Sequence, residues 1–194
     1  MKAIVLHKNG GPQAMKYETI RTPEPGPGEV LIRVYAAGVN HVDIDIRNGI
    51  SGMAGNFPHI LGVDAAGEVA KVGDGVRQWK KGDRVAPHFI LSCGVCQNCI
   101  SGKENICLSF GILGATQWGT YAEYVKVGAH HLVAIPDKLD YDQAVSAYVP
   151  FATAWEALIE VGKLQAGENV LINAASSGVG SAGIQIAKLA GARV

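Results

Sequence analysis

An excess of either charge is what this sequence lacks most plainly. Its 17 Lys and Arg balance 17 Asp and Glu, and no block of like charge occurs anywhere in the chain. That leaves no electrostatic footprint for nucleic acid or for an acidic membrane surface. Long apolar runs are missing too. The opening "MKAIVLHKNG" is too short in its apolar part for a signal peptide, and no later stretch reaches membrane-spanning length. A soluble, cytoplasmic protein is therefore expected, with no nucleic-acid or membrane partner. There is no internal repeat, and the 25 glycines are spread along the chain, which excludes solenoids and low-complexity architectures. Cysteine is absent outside residues 93–107, so no disulfide framework spans the fold.

What is present is enough apolar material for a core, 48 % of 194 residues. Residues 1–140 read as short strands separated by turns. "KAIVL", "EVLIRVYAAGV", "AAGEVAKVG", "DRVAPHFI" and "YAEYVKV" are the strands, with "TPEPGPGE", "VGDGV" and "KKGD" as turn signals. This spacing predicts an antiparallel barrel or sandwich-like domain. From Tyr141 the pattern becomes helical. Pro150 is expected to open a helix whose apolar face is Phe151, Ala154, Trp155, Leu158 and Ile159, with Trp155 in the core. After the turn "VGKLQAGE" comes a short strand, "NVLIN", then "AASSGVGSAG" and the helical "IQIAKLAGA". Residues 141–194 thus form one strand–loop–helix unit. A lone parallel strand cannot cover both its faces, so the sequence is expected to be part of a longer chain.

Two motifs carry chemistry. In "CGVCQNCISGKENIC" the thiols of Cys93, Cys96, Cys99 and Cys107 are spaced to close a tetrahedral structural Zn2+ site with no position left for substrate. Four free thiols or two disulfides are the alternatives, and the two CxxC spacings within a single loop favour metal. In "NVLINAASSGVGSAGIQIAK" a strand feeds a turn of small residues at a helix N-terminus, Ala175-x-Ser177-x-x-Gly180 with Gly178 beside it. Ala175, Ser176, Ser177, Gly178, Val179 and Gly180 would let a pyrophosphate approach the backbone, and Ser176 or Ser177 would cap the helix.

The two motifs in this order resemble the medium-chain dehydrogenase/reductase superfamily along the whole chain. "GVDAAGEVAKVGDGV" is similar to its zinc-alcohol-dehydrogenase signature, with Gly62, Gly67, Gly73 and Val76 in register. The resemblance implies a mixed α/β fold: a GroES-like β-rich catalytic domain over residues 1–140, then the beginning of a Rossmann domain over residues 141–194. It also implies NADP(H) or NAD(H) as cofactor, Thr153 near the nicotinamide, and a homodimer or homotetramer in a full-length form nearly twice this long.

Departures from the family pattern locate the chemistry. "GVNHVD" puts Asn40 where zinc-dependent members carry a cysteine ligand, and "GVD" puts Val63 at the histidine ligand. Val149 falls at the third ligand, and Val42 replaces the hydroxyl of the alcohol proton relay. These substitutions resemble the quinone oxidoreductase-like branch, which works without catalytic zinc. The expected function is reduction of a quinone, enone or aldehyde by hydride transfer, with one structural zinc. The alternatives are a zinc alcohol dehydrogenase with atypical ligands and a non-catalytic nucleotide- or zinc-binding protein. Asn40 is the expected donor to a substrate carbonyl, with His41 and Asp45 as candidate proton carriers. His59 is expected to be a satisfied structural residue rather than a metal ligand, and His130 and His131 are expected at a turn.

Overall fold

The computed structural model describes residues 1–50 and 56–194. Ten strands and four α-helices follow one another along these segments. They are β1 (Lys2–Leu6), β2 (Met15–Thr19), β3 (Glu29–Gly38), α1 (His41–Asn48), β4 (His59–Ile60), β5 (Asp64–Val72), β6 (Arg84–Pro87), β7 (Ile90–Leu91), α2 (Gln97–Ile100), β8 (Gly111–Ile112), β9 (Tyr124–Gly128), β10 (Leu132–Ala134), α3 (Tyr141–Trp155) and α4 (Gly178–Leu189). The chain divides into two units, Met1–Val145 and Ser146–Val194.

The first unit is built on an antiparallel five-stranded sheet in the order β10-β6-β5-β3-β9, beside a three-stranded sheet β2-β1-β4 and the β7–β8 ladder. Alternation explains the pairing of the central strands. Val30 and Ile32 of β3, Val69 of β5, Val85 of β6 and Val125 and Val127 of β9 point to one side and close a core with Leu113 and Leu132. Ala66, Ala86 and Ile135 make a second cluster with Ala144 and Val145 from the start of α3. Leu6, Ile46 and Leu61 make a third, which seats α1 against β1 and the β4–β5 turn.

The five expected strands appear as β1, β3, β5, β6 and β9, β6 being the first half of "DRVAPHFI", whereas the five-residue β2 was not expected. Helix α1 was not expected. Val42, Ile44 and Ile46 alternate like a strand, but the helix is set by its ends. Asp43 reaches back to the Asn40 N–H at 2.9 Å, and Gly49 closes the helix in the left-handed region at φ 77°. Gly62, Gly67 and Gly73 of the signature stretch are explained by close approach. Gly67 lies opposite Val34 at a β-bulge in the β3–β5 ladder, and a Cβ there would come 2.0 Å from the Arg33 carbonyl oxygen.

In the second unit Pro150 lies inside α3 rather than at its start. The helix is already nucleated upstream, where Asp140 Oδ1 accepts from the Gln143 N–H at 2.7 Å, so Pro150 falls more than two turns in. A π-helical turn, Glu156–Val161, follows α3. Ala154 packs with Ala182 and Ile186 of α4, flanked by Phe151, Leu158 and Ile159. Trp155 does not join them. It is 51 % exposed and donates from Nε1 to Glu160, because the small residues of α4 meet the Ala154 side of the helix. The segment 169–173, expected as a strand, makes one parallel bridge, Asn169 to Arg193, with Val170 N–H donating to the Arg193 carbonyl at 2.8 Å.

Two glycine variants separate close approach from backbone strain. Gly67→Ala should destabilise the first unit by about 1–3 kcal/mol or more through overpacking. Gly75→Ala meets nothing within 4 Å but has φ +79°, and should cost only the left-handed penalty, about 1–2 kcal/mol. Urea unfolding of each variant checks the order; equal costs would count against the steric account.

Candidate active site and metal lobe

Asn40 ends β3's run and starts α1, and its position is over-determined. Its backbone N–H donates to Asp43 Oδ2 at 2.9 Å, and its side-chain Nδ2 donates to Asp64 Oδ2 at 2.8 Å. Asp43 is 3 % exposed and Asp64 2 %. Asp43 also accepts from the Gly62 N–H at 3.1 Å and from the Tyr121 hydroxyl at 2.9 Å. Burial raises the Asp43 pKa above the ordinary carboxylate value, against the pull of the donors from Asn40, Tyr121 and Gly62. Tyr121 is pushed up by its own burial and by the Asp43 charge, so it stays a hydroxyl donor. Asp64 is held by its backbone as well, since the buried Thr120 hydroxyl donates to its carbonyl at 2.7 Å.

Neither aspartate, nor Tyr121 or Thr120, was singled out from the sequence. For Asp43 a signal existed: Asn-x-x-Asp is a helix-start pattern in which the fourth residue reaches back to the first. Asp64 was visible only as the last letter of "GVD". The other expected residues of this region part company. His41 and Asp45 face one another across one turn of α1, Nε2 to Oδ1 3.8 Å, with side chains 85 % and 38 % exposed. They form a pair at the surface of α1. Val63 is buried in the core, and Val42 packs beside Ile46 and Leu61. His59 is 2 % exposed, with Nε2 2.9 Å from the Gly114 carbonyl oxygen, so it is a satisfied structural residue.

The four cysteines meet in the lobe between β7 and β8. All four Sγ atoms lie within 4.8 Å of one another, and no disulfide links them. The Cys96–Cys99, Cys93–Cys107, Cys93–Cys99 and Cys96–Cys107 distances are 3.4, 3.6, 3.9 and 3.9 Å. Four sulfurs about 2.3 Å from a central ion would stand about 3.8 Å apart, so the set fits a tetrahedral metal. Backbone N–H groups already point at the sulfurs: Cys93 and Ser109 donate to Cys107 Sγ, and Cys96 donates to Cys93 Sγ, each at 3.3 Å. Hydrogen bonds from the Leu108 and Cys99 backbones hold the Cys96 thiol at about 6. Burial and the neighbouring thiols push Cys99 up to about 12. Four thiolates this close need a central cation to ionise together.

In the second unit Ser177 caps α4, its Oγ accepting from the Gly180 N–H at 3.0 Å. Ala175, Ser176, Ser177, Gly178 and Val179 are exposed on the turn that enters the helix. Ala174 beside them adopts φ 53°, and a Cβ on Gly180 would come 2.2 Å from the Ala174 carbonyl oxygen. This tight entry of small residues to a twelve-residue helix suits a phosphate-bearing ligand. Thr153 lies exposed on α3 in the same unit.

A β-rich unit with a cysteine lobe, followed by a small-residue turn on a helix N-terminus, defines the class. The profile of the alcohol dehydrogenase GroES-like domain matches residues 26–137. The chain belongs to the medium-chain dehydrogenase/reductase superfamily. It is 38 % identical over 195 residues to a quinone oxidoreductase of Sus scrofa, covering 100 % of this chain and 51 % of that protein. The crystal structure of an NAD-dependent alcohol dehydrogenase superposes with TM-score 0.95 at 42 % identity, covering 100 % of this chain and 57 % of that one. A cobalt- and zinc-bound thermostable alcohol dehydrogenase from Pyrobaculum aerophilum does so with TM-score 0.90 at 36 % identity, covering 99 % and 57 %. The chain spans about half the length of these relatives. Among the described residues no helix is long and apolar enough to cross a membrane.

Two outcomes check this geometry. Cobalt(II) added to the reduced, metal-free protein should give the absorption of a tetrahedral four-thiolate site at one ion per chain, and Cys96→Ser should abolish it. Tyr121→Phe should cost about 1.5–3 kcal/mol in urea unfolding, the usual contribution of a hydrogen bond to a charged acceptor. A Tyr121→Phe protein as stable as the parent would remove the hydroxyl from the Asp43 network.

Proposed function

We propose that the protein is an NAD(P)H-dependent reductase of quinones, enones or aldehydes, with one structural zinc in the cysteine lobe and no catalytic metal. The observation that carries this reading is the Asn40–Asp64 hydrogen bond. A carboxamide stands where zinc-dependent members carry a thiolate, and its Nδ2 is tied to a buried carboxylate in an orientation set by the fold. Val63, at the histidine-ligand position, is a buried aliphatic residue with no lone pair to give.

Bound dihydronicotinamide supplies the hydride. The turn from Ala175 to Gly180 would hold the pyrophosphate on the N–H groups at the start of α4, with Ser177 fixing the first turn and Gly180 keeping the approach open. Asn40 has one Nδ2 hydrogen committed to Asp64 and a second for a substrate oxygen. That donor orients a carbonyl and stabilises charge developing on it. The neighbouring Asp64 carboxylate works against a localised alkoxide, which favours substrates that spread the incoming charge over a conjugated system. His41 and Asp45, exposed on α1, are suited to exchanging a proton with water and less to a sealed relay. The structural zinc would be held by Cys93, Cys96, Cys99 and Cys107, a closed set that leaves the metal no site for substrate. Assembly as a homodimer or homotetramer belongs to the same reading.

The complete enzyme assayed with NADPH or NADH should turn over quinones or α,β-unsaturated carbonyls orders of magnitude faster than it oxidises ethanol. Brief treatment with a chelator should leave that activity in place. Asn40→Ala should lower kcat by roughly ten- to a thousand-fold, the range for loss of one charge-stabilising donor. Primary alcohols as best substrates, with activity lost at once on chelation, would establish the catalytic-zinc alternative. Nucleotide binding without turnover of any of these substrates would establish the non-catalytic one.

A further inference from the structure

We propose that His130 and His131 are positioning residues of the metal lobe, gripping the Ser92 peptide on both its polar groups and so fixing where the first ligand, Cys93, stands. The proposal rests on the reading of the four cysteines as a metal site and goes beyond it, to side chains that touch no sulfur. The lobe leaves the barrel through β7 and returns through β8, a ladder of only two pairs, Ile90 with Ile112 and Leu91 with Gly111. Ser92 is the next residue, directly before Cys93. Its N–H donates to His131 Nε2 at 2.9 Å, and its carbonyl oxygen is 3.0 Å from His130 Nε2 and 3.1 Å from His131 Nε2.

The tautomers follow from satisfying all of these groups at once. His131 Nε2 must carry a lone pair to accept the Ser92 N–H, and its proton is then on Nδ1. His130 must carry its proton on Nε2 to donate to the Ser92 carbonyl. The opposite assignment for His131 would leave the Ser92 N–H without an acceptor and crowd two donors on one carbonyl. In the assignment made here His131 Nδ1 is buried without a hydrogen-bond partner. That is a cost, and it is borne by a group committed to Ser92 on its other side. Burial, with His130 adding to it, holds the His131 pKa down at about 4, so the ring is neutral as the acceptor role requires.

The gripping side is rigid. His130 and His131 end the 3-10 turn Ala129–His131 between β9 and β10. The Ala129 carbonyl accepts from Trp79 Nε1 at 2.8 Å, and the His131 carbonyl accepts from the His88 N–H at 2.6 Å. The two rings lie against one another with centroids 3.8 Å apart. His130 and His131 line a cavity of about 480 Å³ together with Ser92, Gly94 and Cys99, and the hydrogen bonds at Ser92 tie the rings to the lobe beside it. A ligand cysteine held in place before the metal arrives favours closure of the site over opening, and its loss should show first in how fast metal leaves.

The test uses the zinc-loaded chain and a chromophoric chelator in excess, with release followed as a first-order rate and stoichiometry set by elemental analysis. His131→Ala should release zinc about tenfold faster than the parent, the lower end of what outer-sphere partners cost. His131→Gln, which keeps an acceptor at the reach of Nε2, should stay within about threefold of the parent by the same argument. His130 is exposed, so His130→Ala leaves no cavity; it should speed release severalfold and carries the test if His131→Ala fails to fold. Parent-like release from His130→Ala or His131→Ala, or His131→Gln as fast as His131→Ala, overturns the clamp. A parent chain that takes up no zinc overturns the metal reading itself, and the clamp with it.

Discussion

One buried carboxylate, that of Asp43, holds together the part of the fold on which the chemistry depends. One local donor and two distant ones converge on it: the Asn40 N–H at the start of α1, the Gly62 N–H in the turn before β5, and the Tyr121 hydroxyl ahead of β9. An unpaired charge so buried would cost several kcal/mol, and the three hydrogen bonds offset that only while all three segments keep their places. The position of Asn40 is therefore a property of the whole first unit. Its backbone is fixed by Asp43 and its amide by Asp64, whose own carbonyl is held by Thr120. Rigid support of this kind is what a hydrogen-bond donor needs in order to act on a substrate without reorganising first.

Two buried acids beside one amide also shape the electrostatics. A cation at the Asn40 position would be attracted by this surround, and a neutral carboxamide is merely oriented by it. Where these carboxylates are ionised, a negative charge confined to one substrate oxygen would meet them at short range. A conjugated acceptor moves that charge away. The geometry that aims Asn40 is in keeping with the proposed preference for substrates already activated toward hydride.

Much of the fold was legible because strand alternation is a local signal. Val30 and Ile32, or Val125 and Val127, mark their strands without help from the rest of the chain. The failures have physical causes. Helix α1 carries apolar residues at 42, 44 and 46, a strand-like period, and its helical state is decided at its ends by Asp43 and Gly49. Pro150 reads as a helix start by its own preferences, yet a helix already begun at Tyr141 carried through it. Strands of two residues such as β4, β7 and β8 have no period to detect. At the site, the cysteine spacing and the turn at Ser177 were readable since each lies within one short stretch. The Asp43 and Asp64 networks were not, because their partners at Tyr121 and Asn40 are 78 and 24 residues away.

The cysteine lobe obeys a different logic from the rest of the first unit. Its large apolar side chains face outward: Val95 is 76 % exposed, Ile100 70 % and Leu108 81 %. Of the lobe's residues it is Cys99 and Cys107 that are buried. A segment that buries so little apolar surface cannot offset the entropy of ordering its backbone by the hydrophobic effect. Its order must come from the sulfur cluster and from the foot by which it joins the barrel, the β7–β8 ladder with Ser92 above it. In the proposed metal site, binding and folding of the lobe would be one event. That event is spatially separate from the Asp43 node, which draws its donors from other segments altogether. In the proposed reading the cysteine cluster serves architecture and the hydrogen-bonded Asn40 amide serves chemistry, and the two sets share no residue.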